Sequence, residues 1–184
     1  FLWPSLLVLF ALLLYPLFYV IRLSFYDSNL TRETWVGLSN YATLINDPLF
    51  WKSFLQTVLF TVGSVVMHLV IGLALALLLN AEINRRFRSL ARGILIVPWL
   101  LAPTVAGMIW VLMLAPLGVV NALLANLGIV DQNANIAWLG DPATSLASVT
   151  AMNVWRAFPF FMVMLLAGLQ AIPLQLYEAA EIDG

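Results

Sequence analysis

Cysteine is absent from the 184 residues. That excludes disulfides, a thiolate nucleophile and any cysteine-based metal site. Histidine occurs once, with no clustered carboxylates beside it, so no metal centre is expected. Charge is also scarce. Asp, Glu, Lys and Arg make up 9% of the chain and sum to a net charge of −1. A soluble domain carries about 25% charged residues, so this chain lacks the means to cover a globular surface. Nothing in the balance favours nucleic acid. No glycine-rich phosphate loop ending in Lys-Ser/Thr is present, so ATP hydrolysis by this chain is not expected. There is no fixed-period repeat, low-complexity tract or interdomain linker.

Apolar residues fill the gap, at 63% of the chain. The pattern predicts an all-α, polytopic helical membrane protein: a single transmembrane domain over 1–184. Spans are expected at about 2–23, 54–80, 93–114 and 143–169, since about twenty apolar residues cross the hydrocarbon layer. Pro16 lies inside the first span and frees a carbonyl that a neighbour or a local distortion must satisfy. Residues 24–50 form a polar connector with short interfacial helices, one near 39–45, and Asn46-Asp47-Pro48 reads as a helix start. Gly63 and Gly72 allow close helix approach in the second span. Pro98 and Pro103 predict a kinked third span. Residues 118–128 are apolar but too short to cross, and predict an interfacial or re-entrant helix.

Residues 81–92 form a basic loop. Arg85, Arg86, Arg88 and Arg92 supply half of the eight cationic side chains. By the positive-inside rule this loop is cytoplasmic, and the four arginines set topology and touch anionic lipid. The span count then places 24–50 and 115–141 outside and returns the chain to the cytoplasm after 169. There, 173–183 reads as a short acidic helix, with Pro173 in its first turn and Gly184 as its stop. The local charge rule does not support this placement, because 170–184 holds three acids and no base; the arginine loop decides it.

Within the spans, Arg156 is the notable charge, because a membrane cation faces protein or water and needs a partner. Three readings stand: contact with solute, pairing with an acid of another subunit, or snorkelling beside Trp155. Asn153 is a cavity candidate, since a buried amide needs a partner. Phe160 joins them as an aromatic on the same stretch. His68 suits a proton relay on paper, but no membrane carboxylate accompanies it, and a helix–helix hydrogen bond is the better reading.

Glu178-Ala179-Ala180 followed by Asp183-Gly184, with Gly168, Pro173 and Tyr177 ahead of them, resembles the EAA motif of the membrane subunits of bacterial ABC importers. Upstream, Tyr15-Pro16-Leu17, Asp47-Pro48-Leu49, Pro98, Trp110, Asn121, Trp138, Trp155 and Phe160 occur in an order similar to that of the maltose and glycerol-phosphate type permeases. The resemblance covers nearly the whole chain. It implies an ABC importer type I transmembrane domain in the bacterial cytoplasmic membrane, forming half of a pathway for a sugar or related carbohydrate. It makes 173–183 a coupling helix, with Tyr177, Glu178, Ala179, Ala180, Asp183 and Gly184 at an ATPase groove. The implied partners are a second permease subunit, two ATPase subunits or domains and an extracytoplasmic solute-binding protein. ATP and Mg belong to the ATPase, and no cofactor to this chain. Asn153, Arg156 and Phe160 are candidates for the substrate path. Family members continue with further spans, typically two, so the chain is expected to be incomplete at its C-terminus. An ABC permease for a non-sugar solute is the nearest alternative, and an ion-coupled secondary transporter a more distant one.

Overall fold

A computed structural model describes residues 2–29, 32–81, 84–131, 135–173 and 175–176. The chain divides into two compact units, Phe1–Leu55 and Gln56–Gly184.

In the first unit, helix α1 (Trp3–Leu9) runs through a π-helical turn (Phe10–Leu14) into α2 (Tyr15–Leu23). The stretch Trp3–Leu23 is long and apolar enough to cross a membrane. Pro16 explains the π turn. Its nitrogen cannot donate and its ring crowds the preceding turn, and a wider turn relieves both. An antiparallel hairpin follows, β1 (Tyr26–Asn29) with β2 (Arg32–Trp35), Tyr26 opposite Trp35. Only helices were expected here. The strands are four residues each and largely polar, so they read as a loop. What holds them is aromatic: the Trp35 ring stacks on Phe25 at 5.6 Å and meets Tyr26 edge-on at 5.0 Å. Asn40 donates to the carbonyls of Ser24 and Tyr26, fixing α3 (Ser39–Asn46) against the hairpin base. Arg22 lies over the Tyr26 ring at 5.0 Å and 3.5 Å from Glu33.

Helix α4 (Pro48–Asn80) begins in this unit. Pro48 occupies the first turn, and Asp47 Oδ1 accepts the Leu49 N–H at 2.8 Å, as a helix start requires. Its 33 residues extend about 50 Å, against about 30 Å of hydrocarbon.

The second unit contains the rest of α4 and helices α5 (Arg85–Leu100), α6 (Pro103–Met113), α7 (Val119–Asn126) and α8 (Ser145–Gln170). Two expectations are corrected here. The arginines do not sit in a loop. Arg85, Arg86, Arg88 and Arg92 occupy the first turns of α5, which starts early because Asn84 Oδ1 caps the Arg86 N–H at 2.9 Å. The third span is not one kinked helix: α5 and α6 meet at 94°. Pro103 forces the residue before it out of helical geometry, and Leu101 and Ala102 are both extended, with ψ of 135° and 138°. Pro98 is carried inside α5 without a break. The expected short helix at 118–128 is α7, entered through Gly118, where a Cβ would stand 2.7 Å from the Leu112 carbonyl oxygen.

The core of this unit is an apolar cluster of Ala76 and Leu79 from α4 with Met162 and Leu166 from α8, against which Ala91, Leu95 and Ile96 of α5 pack. Large apolar side chains cover much of the outward-facing surface of the long helices, as expected where the surrounding medium is lipid, while Arg85 and Arg86 at the start of α5 are exposed as well.

Candidate functional site

The buried stripe of α4 reads Ser64, His68, Gly72, Ala76 and Leu79. Its spacing of four then three residues keeps it on one face. Small residues at this spacing let α8 come close. Gly72 marks the tightest point: a Cβ there would lie 2.9 Å from Phe161 Cβ and 3.1 Å from the Met162 nitrogen. Gly63, expected to serve the same purpose, has no such constraint, with Thr150 at 3.9 Å.

One turn from Gly72, His68 is 5% exposed. Its ring stacks on Phe161 at 4.8 Å, and Nε2 lies 3.3 Å from the main-chain carbonyl oxygen of Asn153. A carbonyl only accepts, so the proton sits on Nε2. The histidine is therefore a helix–helix rung, as its lone occurrence suggested. No group of three or more His, Cys, Asp or Glu able to hold a metal ion is found among the described residues.

Asn153, Arg156 and Phe160 all belong to α8, where Asn153 and Arg156 are half-buried and Phe160 is exposed. The rings beside them set their level. Trp155 meets Trp110 of α6 at 5.9 Å, and Phe160 meets Trp99 of α5 at 5.8 Å. Arg156 lies between these two contacts along α8. The two partners, Trp110 and Trp99, lie on either side of the Leu101–Ala102 break, where a span interrupts its backbone hydrogen bonding. Irregular backbone at such depth is tolerated where it is covered by protein or lines a cavity. Arg156 Nε is buried with no hydrogen-bond partner among the described residues.

At the other end of α5, Arg88 Nη2 donates to the Ala81 carbonyl at 2.6 Å, tying the helix start to the end of α4. The Nε atoms of Arg88 and Arg92 have no partner among the described residues. The acidic segment cannot be placed with them. Tyr177, Glu178, Ala179, Ala180, Asp183 and Gly184 lie outside the described residues.

A polar centre gathers around Asn121 of α7, 5% exposed, a residue singled out in the sequence only for its place in the family resemblance. Its Nδ2 donates to the carbonyls of Pro116 and Ile136, each at 2.9 Å, and its Oδ1 accepts from Trp138 Nε1 at 2.8 Å. Thr144 Oγ1 donates to the Trp138 carbonyl at 2.8 Å. One carboxamide thus closes the connector between α6 and α8. The signal available in sequence was an amide within the apolar run of α7.

Residues 68–184 match the family model described as binding-protein-dependent transport system inner membrane component. The chain belongs to this family. Among curated relatives, the sulfoquinovosyl glycerol transport system permease protein SmoG of Agrobacterium fabrum is 35% identical, covering 98% of this chain and 58% of that protein. The trehalose/maltose transport system permease protein MalF of Thermococcus litoralis is 38% identical, over 83% of this chain and 50% of that one. A solved bacterial ABC transporter involved in import of the acidic polysaccharide alginate superposes with a TM-score of 0.80. It is 22% identical and covers 98% of this chain and 60% of its own. The chain thus spans about 60% or less of these relatives' length. The largely helical fold expected from the sequence is that of the solved transporter's chain, and the matched family is an inner-membrane one, as expected. The relatives named are transport permeases.

Proposed function

We propose that this chain is the permease part of an ATP-driven ABC importer and forms half of a membrane pathway for a sugar or related carbohydrate. The observation that carries the reading is the ordered ending, Glu178-Ala179-Ala180 through Asp183-Gly184, within the family match. Two relatives named for sugar-containing solutes support the carbohydrate class. The alginate transporter has also been solved with a pentasaccharide-bound periplasmic protein, which supports an extracytoplasmic binding protein as partner.

In this reading solute is delivered at the outer side, and two permease subunits enclose its path. Two ATPase subunits or domains, holding ATP and Mg, close beneath them. The segment 173–183 sits in an ATPase groove and passes that motion into the bundle. Chemistry stays on the partner, and this chain transmits work. Asn153, Arg156 and Phe160 line the path at the α5–α6 break. The arginines of α5 hold the cytoplasmic end at the anionic lipid surface.

The test is uptake into liposomes containing the complete importer. Labelled oligosaccharide should accumulate only when both the binding protein and ATP are supplied. Accumulation driven by an ion gradient without ATP would support the secondary-transporter alternative instead.

A further inference from the structure

We propose that the carbohydrate carries a negative charge, and that Arg156 receives it at the α5–α6 break. This deepens the permease reading and rests on it. Three observations converge.

The first is the missing counter-ion. From Pro48 to residue 130 Glu82 is the one acid, and it lies between α4 and α5; from residue 142 to 177 there is none. Helices α4 to α8 themselves therefore offer Arg156 no carboxylate. The second is the state of the side chain. Arg156 Nε is buried with no acceptor among the described residues. A carboxylate, sulfonate or phosphate ester could take that N–H together with a terminal one, in the two-pronged geometry a guanidinium prefers.

The third is the setting. The contacts of Trp155 with Trp110, and of Phe160 with Trp99, fall on either side of Arg156 along α8 and on either side of the start of α6 along the chain. The first N–H groups of a helix have no acceptor within it and carry partial positive charge. Ala102 caps this helix without a side-chain hydrogen bond. A second positive feature thus falls between the same two contacts, with aromatic faces suited to a sugar ring. A neutral sugar would be served by Asn153 and the rings alone, and would leave the cation uncompensated.

The experiment uses cells expressing the complete importer, compared with cells lacking this chain. Both are supplied with a mixed polysaccharide hydrolysate containing neutral and uronate oligosaccharides, and mass spectrometry identifies what accumulates. The expected result is chain-dependent accumulation of acidic oligosaccharides. Arg156→Gln should reduce it about 30-fold or more, the loss expected when one side of a buried charge pair is removed. Arg156→Lys should retain a measurable part. Accumulation of neutral oligosaccharides alone would overturn the proposal, as would full uptake of acidic ones by Arg156→Gln. A neutral solute together with loss of complex assembly in Arg156→Gln would instead assign the arginine to an acid on a partner subunit, and would equally overturn it. No chain-dependent accumulation of either kind would count against the carbohydrate permease reading itself.

Discussion

Replacing Gly72 by Ala separates packing from helix propensity, because the two effects oppose each other at this position. On propensity alone the change favours the helix by about 1 kcal/mol. The added Cβ, however, would stand 2.9 Å from Phe161 Cβ, 3.1 Å from the Met162 nitrogen and 3.2 Å from the Phe161 carbonyl carbon. Two of these atoms are backbone, so no rotamer change clears them, and α8 itself must move. Overpacking of this kind costs about 1–3 kcal/mol. The net expectation is destabilisation of up to about 2 kcal/mol, larger for Gly72→Leu. Gly93 and Gly168 provide the control, since a Cβ at either meets nothing within 4 Å. Gly93→Ala and Gly168→Ala should stabilise by about 0.5–1 kcal/mol. Thermal unfolding of the detergent-solubilised permease would therefore show Tm shifts of opposite sign for one and the same substitution. A Gly72→Ala protein as stable as Gly93→Ala would refute the close approach of α4 and α8.

Further expectations concern the rung, the connector and the orientation. His68→Phe keeps the stack on Phe161 but loses the bond to the Asn153 carbonyl. It should cost about 0.6 kcal/mol, and His68→Ala clearly more, in the same unfolding assay. Asn121→Ala leaves Trp138 Nε1 and two carbonyls without their partner. At about 1–3 kcal/mol for a buried group left unsatisfied, a loss of at least about 2 kcal/mol is expected, together with earlier proteolysis of the α6–α8 connector. The cysteine-free sequence makes topology simple to measure with single-cysteine variants. Ser39→Cys should react with an impermeant maleimide from outside the cell, and Asn84→Cys only after the membrane is opened; the reverse pattern would overturn the orientation drawn from the arginines.

The elements most legible in the sequence were those with long apolar runs, because a span needs little beyond length and the scarcity of charge. The start of α4 was legible for a local reason, the Asp47-Pro48 cap. The hairpin was not, because its strands are short and its stability comes from Phe25, Trp35 and Tyr26 meeting across the turn. The α5–α6 break was half visible. Pro98 and Pro103 both announce disturbance, but only Pro103 stops a helix, because its predecessors become extended while Pro98 is absorbed. Of the candidate site, Arg156 was conspicuous by charge and Asn153 by polarity. That His68 binds the Asn153 backbone, 85 residues away in sequence, depends on how α4 crosses α8, which periodicity does not encode. Gly63 and Gly72 look equivalent in the sequence, and only the crossing point distinguishes them.

The central claim is that this chain converts ATPase motion into solute movement through the segment containing Glu178. It is tested most directly by measuring uptake and ATP hydrolysis together in the complete importer carrying Glu178→Ala. The account predicts an assembled complex that still hydrolyses ATP while transporting little or no solute. Normal solute uptake by that variant would contradict it.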